Sequence, residues 1–168
     1  MLAPIYAIFV EHIGGDILDA GMTSAVFSVS LGIFLLLFSW MENRLDRLDI
    51  MIFVGYGIRS FGVLLYLFIQ TPAHLLIVQS ILGLGGAIAL PAYDAIYSKF
   101  LDKGKFALEW GVWESFGFIS YGIAAFVGAF IAQKFNFQVL FVIMFIISLF
   151  SLLTIIKLRK ELRRVSNE

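Results

Sequence analysis

Arg59, Gln79, Asp94 and Glu114 are charged or polar side chains set inside long apolar runs, with Tyr93, Trp110, Trp113 and Tyr121 close to them in sequence. In a medium without water, a carboxylate or a guanidinium is costly unless it meets an opposite charge, a proton or a water-filled cavity. The chemistry these residues offer is the holding and release of charge and of a polar solute, not the breaking of bonds. On a helical wheel Gln79, Gly83, Gly86, Leu90, Tyr93, Asp94 and Tyr97 share one face. Trp110, Glu114, Gly117, Tyr121 and Gly128 share another. Asp94 and Glu114 each lie about five residues inside the nearer charged loop, ~7 Å deep at 1.5 Å per residue, and Arg59 lies ~14 Å deep. An unpaired charge at that depth is expensive, so Arg59 is expected to pair with Asp94 or Glu114 inside the bundle. Such a pair serves either structure alone or gating and coupling. Asp94 also admits the plainer reading of an interfacial acid that reaches water.

The elements that must carry these residues follow from composition. The 168 residues are 61% hydrophobic, with 18 Phe, and only 14% are charged, against ~25% in soluble domains. Uncharged runs near 20 residues indicate transmembrane helices rather than barrel strands, which alternate over ~10 residues. The expected fold is all-α, a polytopic transmembrane helix bundle. The first apolar run, 1–10, is half of the ~20 residues a span requires. Full helices are expected over 20–41, 50–70, 73–98, 107–133 and 137–156, giving five full spans plus a partial first helix. Residues 1–156 then form the bundle and 157–168 a basic tail.

Several chemistries are set aside on motif grounds. The glycine cluster Gly83, Gly85, Gly86 is not a dinucleotide fingerprint, because Ile88 stands where the third glycine is needed and no strand precedes it. The chain has no cysteine, which removes thiol chemistry and thiolate metal sites. Glu11 and His12 point to different sides of a helix with no second His nearby, which favours a solvated loop over a metal or proton site. Asp94 and Glu114 lack the partner set of an intramembrane hydrolase. No phosphate loop, cofactor motif or metal cluster is present, and neither an enzyme nor a nucleic-acid partner is expected. The glycines have a plain reading too, as sites of close helix packing.

The chain repeats. A shift of 90 residues places Gly21 on Gly111, Ser30 on Ser120, Gly32 on Gly122 and Ile33 on Ile123; a shift of 87 places Pro4 on Pro91 and Tyr6 on Tyr93. The second and fifth helices cross the membrane in opposite directions, so the arrangement is a 3+3 inverted repeat, the architecture of secondary transporters. Helix four has 18 residues before Pro91 and helix one has three before Pro4, so roughly 15 residues of a full first span are expected to be absent.

These features together resemble the N-terminal six-helix half of a major facilitator superfamily transporter, and the resemblance covers nearly the whole chain. In that family the loop after helix two carries G-x-x-x-D-R-x-G-R-K. Here Arg44 and Arg47 match it, while Ser39, Asn43, Asp46 and Leu48 depart from it. The helix-four motif R-x-x-x-G-x-G-G-A appears as 79–87, with Gly83, Gly85 and Gly86 in place and Gln79 at the arginine position. Helix five carries Gly122 and Gly128 as packing glycines but lacks the Gly-Pro pair of the family's antiporter motif. Family members usually have twelve helices in two halves, and this chain has one. The resemblance implies transport of a small solute, with a second six-helix half or a second copy of the chain as partner. Gln79, Tyr93, Asp94, Trp110, Trp113, Glu114 and Tyr121 are the substrate or coupling candidates. The competing reading is a structural or partner-binding membrane protein of the same fold, without transport.

Ten of the twelve basic residues fall in the loops 42–49 and 99–106 and the stretch from Lys157. The positive-inside rule makes those segments cytoplasmic and places the C-terminus inside a cell (plasma) membrane. The basic tail then fixes orientation, with anionic-lipid binding as the alternative. Single cysteines at Asn43, Lys103 and Asn136 test this topology. An impermeant thiol reagent added outside intact cells should label only the Asn136 position, and labelling at Asn43 or Lys103 would reverse the assignment.

Overall fold

The structure is a computed structural model that describes residues 2–42 and 47–166. A 3-10 turn, Ala3–Ile5, leads into α1 (Tyr6–His12). Five long helices follow: α2 (Ile17–Glu42), α3 (Leu48–Leu65) with a 3-10 extension Tyr66–Phe68, α4 (Pro72–Lys99), α5 (Phe106–Lys134) and α6 (Phe137–Ser166). No strand occurs among the described residues. Five helices are long and apolar enough to cross a membrane, and α1 is the short sixth. The chain is therefore the expected transmembrane bundle. Helix α6 runs past 156 to Ser166, while its membrane-length apolar span ends at Leu158.

Local chemistry sets the turns. Gly14 takes φ +83, a left-handed conformation that a side chain disfavours, and reverses the chain after α1. Asp16 and Asp19 then cap α2 reciprocally: the Asp19 N–H donates to Asp16 Oδ1 at 2.9 Å and the Asp16 N–H to Asp19 Oδ2 at 3.0 Å. Thr71 caps α4 through its hydroxyl, which accepts from the His74 N–H at 3.4 Å, and Pro72 supplies the first helical residue. Asn136 caps α6, accepting from the Val139 N–H at 2.8 Å.

Helix α4 is the hub. Of its most apolar stretch 56% is buried, against 6% for α2 and for α5. Two glycine faces explain the difference. A Cβ at Gly83 would stand 2.9 Å from the Phe27 carbonyl oxygen and 3.0 Å from the Leu31 nitrogen, so α2 presses backbone against this face. A Cβ at Gly85 would meet the Gly55 carbonyl oxygen at 2.9 Å and Arg59 Cγ at 2.8 Å, so α3 presses on the other face. Gly55 reciprocates, its missing Cβ leaving room for the Ala89 nitrogen at 2.7 Å. Between lipid-soluble helices the drive is contact rather than water exclusion, and small residues let backbones reach it.

Two apolar clusters fill the ends. One joins Phe9 and Val10 of α1 to Tyr66, Leu75, Leu140 and Phe141. Phe9 stands edge-on to Phe141 at 4.9 Å between centroids. The other joins Leu48, Met51 and Ile52 of α3 to Ile88, Ala92 and Ile96 of α4.

The packing follows the inverted repeat. Helix α4 leans on α2 and α3; its mate α1 packs on α2 and reaches α6 through the Phe9 ring, with the 3-10 turn before it touching α5. The mates α3 and α6 pack on each other. There the Ser60 hydroxyl donates to the Ser148 carbonyl oxygen at 3.2 Å across 88 residues, within the 87 to 90 residue shift read from sequence. Residues beside a two-fold axis contact their own counterparts, so this bond marks where the pseudo-axis passes.

The other expected packing glycines divide. Gly128 is buried in α5. Gly122 is not a packing site in this chain, because a Cβ there would meet nothing within 4 Å. Gly85→Leu should therefore destabilise by at least the ~1–3 kcal/mol of an overpacked core, since its neighbours include the backbone of Gly55 and Arg59, whereas Gly122→Leu should leave stability unchanged. Unfolding titrations in mixed micelles compare the two, and equal losses would contradict the assigned close approach.

Candidate solute pathway on the open face

Gln79, the most buried of the candidates at 7% exposure, points from α4 toward α1. Its Nε2 donates to the Tyr6 hydroxyl oxygen at 2.6 Å. A buried amide must find such a partner, because leaving it unpaired costs the desolvation of the group. The two side chains form one wall of a cavity of about 460 Å³ between α1, α2 and α4, shared with Ser24, Phe27 and Tyr66. Sequence reasoning singled out Gln79 and passed over Tyr6 and Ser24 as site residues. The available signal was the repeat, which lays Tyr6 on the candidate Tyr93.

Lower on the same side of α4, aromatic rings bridge to α5. Tyr93 lies 5.3 Å from Trp113, and Tyr97 lies 4.9 Å from Trp110 and 5.2 Å from Trp113, all between centroids. The Tyr97 hydroxyl donates to the Glu109 carbonyl oxygen at 2.9 Å, and the Glu109 carboxylate accepts from the Asp102 N–H at 3.1 Å. These bonds tie the start of α5 to the end of α4. Trp113 keeps 41% exposure and Tyr121, further along α5, 55%.

Asp94 and Glu114 lie beside this aromatic seam, both exposed and near enough for their charges to interact. The expected pairing with Arg59 does not form: among the described residues, no ion pair joins Arg59 to either acid. The reason is helical phase. Arg59 Cγ lies against Gly85, and Asp94 is nine residues further along α4, half a turn round at ~100° per residue. The guanidinium sits behind α4 and the carboxylate in front. Gly83 and Gly86 also leave the face assigned to them, since both are covered by α2. What remains on the open side is the cavity of Tyr6 and Gln79, the aromatic seam and two like-charged carboxylates. Such a surface can take a polar or cationic group, or a proton, and it cannot rest against lipid tails.

The sequence profile of the Major Facilitator Superfamily matches residues 1–168. The chain belongs to that superfamily. It is also similar to an uncharacterized MFS-type transporter, YitZ, of Bacillus subtilis (strain 168), at 25% identity over 142 residues, covering 84% of this chain and 85% of that one. The two chains are thus of similar length. No solved structure matches.

The superfamily's loop motif after helix two is seen here at its end. Arg44 lies outside the described residues. Arg47 precedes α3, and its Nε donates to Asp49 Oδ1 at 3.2 Å. Asp49 has no exposed surface and sits in the first turn of α3, where the helix dipole favours negative charge. Nothing in the local sequence sets Asp49 apart from the other charges of this loop; only packing distinguishes it.

Tyr6→Phe should destabilise the protein by about 1–3 kcal/mol by leaving the Gln79 amide without its partner. Adding Gln79→Leu should recover part of that loss. Strictly additive losses in detergent unfolding would show that the two side chains are not bonded.

Proposed function

We propose that this chain is one half of a secondary transporter that moves a small solute by alternating access. It resides in the plasma membrane with its C-terminus cytoplasmic. The open face of α2, α4 and α5 forms one wall of the solute path, and a second six-helix half supplies the other. The observation that carries this reading is the exposure of Asp94, Glu114 and Tyr121 on helices long enough to span the bilayer. Carboxylates inside a span call for an aqueous cavity or a partner. Helices α2 and α5, which the repeat pairs, are also the least buried spans.

A second copy of this chain is the favoured partner, supported by the similar length of the related transporter. Alternating access needs two bundles rocking about a site between them. A single copy is therefore expected to give no saturable uptake in liposomes. The role proposed for Gln79, Tyr93, Asp94, Trp110, Trp113, Glu114 and Tyr121 is to line or couple the path, with transport rather than catalysis as the activity.

Water access tests the reading without knowledge of the solute. The chain has no cysteine of its own, so single replacements report cleanly. Tyr121→Cys should react with a small charged thiosulfonate in the assembled protein, although it lies about 15 residues into α5. Phe150→Cys, exposed on α6, should stay silent as a lipid-facing site. In addition Leu36→Cys or Phe126→Cys should form disulfide-linked dimers and Phe150→Cys should not. Equal silence at Tyr121 and Phe150, with no cross-link through α2 or α5, would reject a water-lined path between two bundles.

A further inference from the structure

Behind α4, away from the open face, a second cavity of about 400 Å³ lies between α3, α5 and α6. Arg59 stands in it, at the middle of the Leu48–Phe68 span. Its stem lies against Gly85 of α4, while the residue as a whole remains exposed toward the cavity. The guanidinium lies over the Tyr56 ring, 5.9 Å from its centroid. Among the described residues it meets no carboxylate.

The rest of the lining narrows the ligand. The hydroxyl protons of Ser60, Ser148 and Ser151 are committed to backbone carbonyls at 3.2, 2.7 and 3.3 Å. They do not compete for an anion, and they bring no charge of their own. The neighbouring walls are apolar, from Val63, Ala124 and Met144. One cation faces one apolar space, at a depth where an uncompensated charge is costly. A guanidinium fork matches a carboxylate with two parallel hydrogen bonds. A single positive group suits a single negative one, and the apolar walls suit a hydrocarbon remainder rather than a second anionic group.

We propose that the cavity between α3, α5 and α6 is a binding site for the carboxylate of a small amphipathic molecule, held by the Arg59 guanidinium. The carboxylate comes either from a water-soluble monocarboxylate or from a fatty acid of the bilayer. The site is separate from the solute path and does not depend on transport.

The test uses the purified full chain in phosphatidylcholine nanodiscs. Binding is measured with radiolabelled benzoate, with a spin-labelled stearate, and with benzamide as the uncharged control. Saturable binding of at least one carboxylate and none of benzamide is expected; benzoate binding identifies a soluble ligand, and stearate immobilisation a lipid-derived one. Arg59→Gln should weaken that binding at least tenfold, with Arg59→Lys intermediate. Ala124→Phe keeps the charge and fills the cavity from α5, and it should abolish binding while helicity and monodispersity stay unchanged. If Arg59→Gln fails to fold, Ala124→Phe decides. No saturable carboxylate binding by the native chain, or binding that survives Ala124→Phe unchanged, would overturn the proposal.

Discussion

The contact on which the bundle depends is backbone against backbone at α4. In a bilayer, helices do not gain from hiding apolar surface from water, because lipid is as apolar as their side chains. They gain from close dispersion contact, and four glycines permit it. Gly83 and Gly86 admit α2, while Gly85 and Gly55 interlock α4 with α3. With both flanks sealed, α4 becomes the buried hub, and every other helix is placed by how it reaches that hub or its repeat mate. The short α1 takes the corresponding position beside α6 through Phe9, Phe137 and Phe141.

Once α4 is fixed, so are the charges. Its two sides are half a turn apart, and the polar groups divide between them. Gln79, Asp94 and the rings of Tyr93 and Tyr97 lie toward the open side, with Trp113 and Glu114 opposite on α5. Arg59 lies on the other side, its stem against Gly85 at the close approach of α3 to α4. Electrostatic attraction alone would draw the guanidinium to the acids. Packing prevents it, because a helix of ~10 Å diameter stands between them. The result is a chain with an acidic front and a basic rear cavity.

The weak burial of α2 and α5 belongs to the same design. These helices are mates in the repeat, and each presents apolar residues that find no protein neighbour, such as Leu36 and Phe126. Gly32 and Gly122, aligned by the 90-residue shift, both look into open space. The two repeat mates are thus under-packed in the same way on either side of the α4 hub. The hub α4 is buried along much of its length, so the outer helices of that face carry more of the exposed apolar surface.

Sequence alone determined the class, the spans, the family and the repeat. Each rests on local or one-dimensional signals: uncharged runs of membrane length, turn residues such as Gly14 and Asn136, and matches at a constant shift. The close-packing role of the helix-four glycines was also legible, since small residues at that spacing have few other uses in lipid. Tertiary structure alone decided which glycine met which helix, that Gly122 met none, that Gln79 bonded Tyr6, and that Asp49 was fully buried. It also separated Arg59 from Asp94. Depth along a helix follows from counting residues and is readable in the chain. The side of a helix that a neighbour occupies is set by the joint packing of all the others, and no single stretch of sequence contains it.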